Sequence, residues 1–315
     1  MTELATSGTI GRGQPTWWAE VRSRLPSVPL GGLLIASALW LAIVILARPD
    51  GGPWRTGQEA FCYWIASLYA PYAHSDWTQP VAYVYSPAFL QAIAPLTELP
   101  WPVFFGVWTA LLLLAVRFLT GPRLFAVGVL LAALELVGGN ISLLLAVAIV
   151  IGFRWPAAWG LVLLTKVTPG IGLLWFAVRR EWRSLGIALG ATAAVAGVSW
   201  AMMPWAWEDW VSVLVNIAGR DGTWAAVPVP LLVRLPIAIA VVVWGARTDR
   251  RWTVPVASML ALPALWYGGL TMLLAVVALQ REPWKSAGPG GTSPASSDVP
   301  AVAAPVSEPV TAIAS

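Results

Sequence analysis

Charge, cysteine and histidine are all scarce in this chain. Only 11% of its 315 residues are charged, and it carries one cysteine, Cys62, and one histidine, His74. Soluble domains hold roughly 25% charged residues, so the shortage excludes a cytosolic enzyme and a disordered chain alike. A lone cysteine excludes an intrachain disulfide and with it a secreted disulfide scaffold. One cysteine and one histidine also leave no ligand set for zinc or haem, so no metal site is expected. Cys62 itself reads as a small apolar filler.

What is abundant is apolar. Hydrophobic residues make up 58% of the chain, and the mean hydropathy is +0.73. Such an excess needs lipid as its solvent, which points to a polytopic membrane protein. The net charge of +4 comes from 19 basic residues, all arginine except Lys166 and Lys285, against 15 acidic ones. In this setting it reads as basic cytoplasmic loops beside anionic lipid, with no nucleic acid implied.

The gaps between charges divide the chain. Residues 30–47 form an uncharged run close to the ~20 residues of a membrane span. A secretory leader is the competing reading, but its apolar part is normally only ~7–15 residues long. Residues 1–29, with Arg12, Arg22, Arg24, Trp17 and Trp18, suit an interfacial segment on the inner face. Residues 48–82 are polar and aromatic and read as an external loop after the first helix.

Further uncharged runs extend to 280, several of them short and flanking a single charge, as 155–165 and 167–178 flank Lys166. The run 252–280 is too long for one span, contains Pro255 and Pro263, and fits a hairpin of two short helices. The fold expected is therefore all-α: a membrane bundle of about eight to ten helices, some short or re-entrant, over residues 30–281. Residues 282–315 form a Pro-, Ala- and Ser-rich tail expected to be disordered. The arginine clusters at 179–183, 247–251 and 281, with Arg154, most simply lie inside. The loops 48–82 and 204–227 then lie outside. The side of the Arg117–Arg123 turn depends on whether 83–97 crosses or dips and returns.

Polar groups within apolar segments are costly and ask for a reason. Lys166 sits in LLTKVTPG, where Thr168-Pro169-Gly170 predicts a break and a return towards Arg179. It is either a snorkelling lysine at a helix end or an ammonium aimed at an anionic ligand. Arg234, in VPLLVRLPIAIA, reads as an interfacial anchor or a second such cation. Glu135 and Asn140 flank the Gly138-Gly139 break, and Asn140 is a candidate helix cap. Cations gathered near loop carboxylates at a membrane surface suit a phosphate-bearing lipid. The cations would neutralise phosphate while a carboxylate accepts a proton from an incoming hydroxyl.

Four pieces of the segment 57–183 resemble glycosyltransferase family 87, polytopic polyprenyl-phosphate-mannose-dependent mannosyltransferases of the GT-C fold. They are EAFCYWIA (59–66), AYVYSPAFLQAIAPLTELPW (82–101), GGNISLLL (138–145) and LLTKVTPGIGLLWFAVRREWRSL (163–185). Beyond the second external loop no comparable likeness is seen. The resemblance implies transfer, with inversion, of a hexose such as mannose on the external face of a bacterial plasma membrane. The donor would be a polyprenyl-phosphate sugar, the acceptor a cell-envelope glycolipid or glycan, and no further cofactor would be needed.

Carried over residue by residue, Glu59 is the base, Tyr63 shapes the pocket, and Tyr85, Ser86, Asn140 and Lys166 line the donor-phosphate side. Arg234 joins the substrate-binding set on physical grounds only. Asp76, beside His74, is the alternative base, and His74 joins the binding set. The chain departs from the family in having Glu59 for aspartate, Asn140 for glutamine and Ser142 for asparagine. Those departures keep open a catalytically degenerate member, and the buried cations keep open a transporter or lipid-sugar flippase.

Overall fold

The computed structural model describes residues 57–73, 75, 82–218 and 229–281. The expected first span, the N-terminal segment, the tail, His74 and Asp76 lie outside the described residues. Every regular element among the described residues is helical. In chain order they are α1 (Gln58–Ile65), α2 (Pro87–Thr97), α3 (Trp101–Leu131), α4 (Ala133–Gly138), α5 (Ser142–Gly152) and α6 (Trp159–Thr165). Then follow α7 (Leu174–Val178), α8 (Trp182–Met202), α9 (Pro204–Ala218), α10 (Leu231–Arg247), α11 (Thr253–Leu260) and α12 (Leu274–Leu279). Short 3-10 segments precede α6, α7 and α12.

Among the described residues, α3 and α8 alone are long and apolar enough to cross a membrane. The remaining apolar segments are shorter and work in broken pairs. Helix α6 stops at Lys166, whose extended backbone (φ −132°, ψ 101°) breaks the helix before Pro169 restarts it as a 3-10 turn leading into α7. The run 252–280 is likewise a hairpin, α11 descending into the 3-10 segment Tyr267–Leu273 and α12. Helix α3 is two helices joined at Gly121, whose φ of 72° places it in the left-handed region that glycine tolerates best.

The two ends of the bundle differ in chemistry. At one end Arg179 donates to the Ala246 carbonyl and pairs with Asp249 at 2.8 Å, while Arg251 lies over the Phe153 ring. Arg281 closes the same pattern on the other flank by donating to the Phe118 carbonyl, beside the Gly121 bend. The other end holds α1, the start of α2, the breaks at Gly139 and Lys166, and α9. Trp210 of α9 is anchored there by its indole N–H on the Val84 carbonyl.

Helix α2 does not cross. Ser86 at its start bonds to α6, and just beyond its end the Leu99 carbonyl accepts from Trp64 of α1, so both termini stay at that second end. The 83–97 run therefore stays at that end, and α3 carries the Arg117–Arg123 turn to the arginine-rich end beside Arg281.

Candidate functional site

Three polar side chains gather where two helix breaks face α1. Helix α4 ends at Gly139 in a left-handed C-cap (φ 75°), with its N–H on the Glu135 carbonyl at 2.7 Å. A Cβ on Gly139 would strike Ala60, so glycine lets α1 lie directly across the break. Asn140 follows, and its Oδ1 accepts from Lys166 Nζ and from Ser142 Oγ, both at 3.2 Å. On the other side, a Cβ on Gly138 would come within 2.9 Å of Glu59 Oε2. Glu59, Asn140 and Lys166 are each half-buried. They form one polar patch of a carboxylate, an amide and an ammonium at the end opposite the arginines.

Glu135 completes the group, although sequence reasoning placed it only beside the break. It is 1% exposed, and neither carboxylate oxygen has a hydrogen-bond partner among the described residues. Its Oε2 lies where a Cβ on Gly268 would sit, so the 3-10 segment before α12 packs straight onto it. Glu59, Glu135 and Lys166 lie within electrostatic reach of one another. A nearby cation lowers the cost of burying a carboxylate.

Beneath the patch lies a layer of hydroxyl-bearing side chains. Tyr63 and Tyr85 share a hydroxyl–hydroxyl bond of 3.0 Å, with their rings edge-on at 5.1 Å. Tyr72 donates to the Tyr85 carbonyl at 2.8 Å, and Tyr83 donates to the Ser86 carbonyl at 3.2 Å. Ser86 caps α2 by accepting from the Phe89 N–H and donates its own proton to the Leu164 carbonyl, two residues before Lys166. Tyr63, Tyr85 and Ser86 are buried, so they position α1 and the Lys166 break from behind. Burial pushes the Tyr63 phenol and the Cys62 thiol well above their ordinary ranges, which keeps both neutral.

Arg234 is placed otherwise. Its guanidinium donates to the carbonyls of Val229, Leu260, Leu262 and Pro263 at 2.6–3.1 Å, and the residue is 4% exposed. It caps the C-terminal end of α11, where carbonyls have no intrahelical partner. Through that turn it fixes the segment that carries Gly268 onto Glu135.

The fold and this patch together define a helical membrane protein with a polar, mixed-charge site gathered at one end of the bundle. The model of glycosyltransferase family 87 matches residues 83–289, two-thirds of the chain. The chain belongs to glycosyltransferase family 87, a membership that implies a glycosyltransferase with a sugar donor and an acceptor. No curated protein and no solved structure matches it. The matched region takes in Tyr85, Ser86, Glu135, Asn140, Lys166 and Arg234, and begins after Glu59 and Tyr63. It also runs on through α10, α11 and α12, correcting the expectation that the likeness ends before them. The signal there was missed because those helices are nearly all apolar, with Arg234 as their one internal charge.

Proposed function

We propose that the chain transfers a hexose, with mannose the leading candidate, from a polyprenyl-phosphate donor to an envelope glycolipid or glycan. The arginine-rich end faces the cytoplasm and the Glu59 patch faces outward, by the rule that basic loops stay inside. Glu59 takes the proton of the acceptor hydroxyl as its oxygen attacks the anomeric carbon. The bond from that carbon to the phosphate oxygen breaks, and polyprenyl phosphate leaves with the electron pair, inverting the centre. Lys166, held by Asn140, stabilises the charge that grows on the phosphate oxygen.

The observation that carries this reading is the meeting of Glu59, Asn140 and Lys166 across the Gly138-Gly139 break. A carboxylate and an ammonium within electrostatic reach of one another suit separate roles, proton acceptor for the incoming hydroxyl and counter-charge for the leaving phosphate. Glu59 serves as the base in this reading, since it lies within electrostatic reach of Lys166 and, unlike Glu135, is partly exposed.

Membranes with and without the chain, supplied with radiolabelled mannosyl polyprenyl phosphate, test the reading. A new labelled glycolipid or glycan that requires the chain supports it. Label that stays on the donor with every acceptor pool rejects it.

A further inference from the structure

A cleft lies beside Tyr72 of the tyrosine layer. The loop that follows α1 and one face of α9 border an open cleft of about 440 Å³, within the roughly 300–1,000 Å³ typical of small-molecule sites. Glu59, Asn140 and Lys166 do not line it. From α9 it receives Trp205, Asp209, Ser212 and Asn216, whose spacing of four, three and four residues sets one stripe along a helix. From the loop it receives Tyr69 and Tyr72. Tyr69 is 94% exposed and Trp205 43% exposed, so two aromatic rings stand free at the opening. Ala206 and Trp210 belong to the buried face of α9, packed against the bundle, while Val213 forms part of the cavity floor.

This combination is selective. A stripe of carboxylate, hydroxyl and carboxamide offers acceptors and donors at fixed helical intervals. Exposed rings offer flat apolar faces, and among the described residues that line it none is a cation. Neutral polyols with apolar C–H faces use both the polar stripe and the rings, whereas a lipid tail leaves the stripe unpaired and an anion meets the Asp209 carboxylate. Resting on the glycosyltransferase reading above, we infer that this cavity holds the saccharide of the acceptor, at sugar units beyond the one that reacts. Tyr72 ties it to the reaction patch, since its hydroxyl donates to the Tyr85 carbonyl and Tyr85 bonds to Tyr63 of α1. A contact to non-reacting sugar units binds ground state and transition state alike, so it acts on acceptor KM and leaves kcat unchanged.

The test uses the full chain in nanodiscs and saturation-transfer NMR with soluble manno-, gluco- and galacto-trisaccharides. At least one trisaccharide should give ring-proton signals with the wild type and equally with Glu59→Gln. Tyr69→Ala and Asp209→Asn should each weaken its binding about tenfold, the scale of one aromatic or charge-assisted contact. Both residues are exposed, so neither change threatens folding. In the transfer assay the same variants should raise acceptor KM about tenfold, with donor KM and kcat held. Absence of signal from all three sugars, or signals and acceptor KM indifferent to both changes, overturns the inference. Cavity-dependent binding in a chain that transfers no sugar would instead overturn the glycosyltransferase mechanism and leave the saccharide site standing.

Discussion

The Lys166 ammonium donates to the Asn140 side-chain carbonyl at 3.2 Å, joining two helix breaks that lie 26 residues apart in the chain. Each break is a local event, one made by Gly138-Gly139 and one by Pro169 and the extended backbone at Lys166. Their junction gives the chain a polar patch at one end of an otherwise apolar bundle. The following outcomes are expected from it.

Lys166→Met should lower transfer about 10²–10³-fold, the range seen when one preorganised donor to developing charge is removed. Lys166→Arg should recover part of the loss, because charge is kept while the point-like ammonium geometry is not. Steady-state rates in membranes check both. Equal activity of Lys166→Met and wild type would remove Lys166 from the leaving-group side.

Gly138→Ala should impair transfer without unfolding the chain. The new methyl would press on Glu59 Oε2, the end of a flexible side chain that can swing away. Its carboxylate would then leave the acceptor hydroxyl, and a displacement of about 1 Å is enough for a ~10²-fold loss. Gly139→Ala should be worse, since it adds a left-handed φ to a clash with Ala60, and should show as reduced thermal stability.

Arg234→Lys should destabilise the chain by about 2–4 kcal/mol, because an ammonium cannot satisfy four separate carbonyls and each buried orphan costs ~1–3 kcal/mol. Thermal unfolding in detergent reads the change. Donor KM in the folded fraction should stay close to wild type, as expected of a helix cap that holds the Gly268 segment. A large rise in donor KM with unchanged stability would mark it as a substrate contact.

Cys62 should resist maleimide in native membranes, because it is 4% exposed and burial holds its thiol protonated. The wild-type chain is then a silent background for topology. Tyr69→Cys should label from outside with an impermeant reagent, and Arg180→Cys only after permeabilisation. The opposite pattern would invert the orientation.

Much of the frame was legible in the sequence. The shortage of charge and the apolar runs announce a helical membrane bundle, and TKVTPG at 165–170 announces the break and the return to Arg179. Asn140 and Lys166 were legible as polar groups that the bilayer should reject. Their contact was not, because it depends on how two distant breaks pack. Arg234 looked like a substrate cation because its carbonyl partners at 260–263 become neighbours only when α10 meets α11. Tyr63, Tyr85 and Ser86 carry the right chemistry for a pocket wall, yet each has its hydroxyl engaged within the fold. Glu135 was passed over because the packing of Gly268 against its carboxylate is invisible at the level of local pattern. The path of α2 was equally hidden, since its length permits either a crossing or a return.

The central claim is that Glu59 is the base at a site where Lys166 serves the leaving group. Glu59→Gln keeps the size and hydrogen-bonding reach of the side chain and removes its ability to take a proton. The decisive measurement is single-turnover transfer from mannosyl polyprenyl phosphate by Glu59→Gln in nanodiscs, alongside binding of the same donor. The account predicts unchanged donor binding and transfer slowed about 10²–10⁴-fold, the usual contribution of a general base. Transfer at the wild-type rate would contradict it, and movement of the labelled lipid across the bilayer with no glycosidic bond formed by the wild type would point to a flippase.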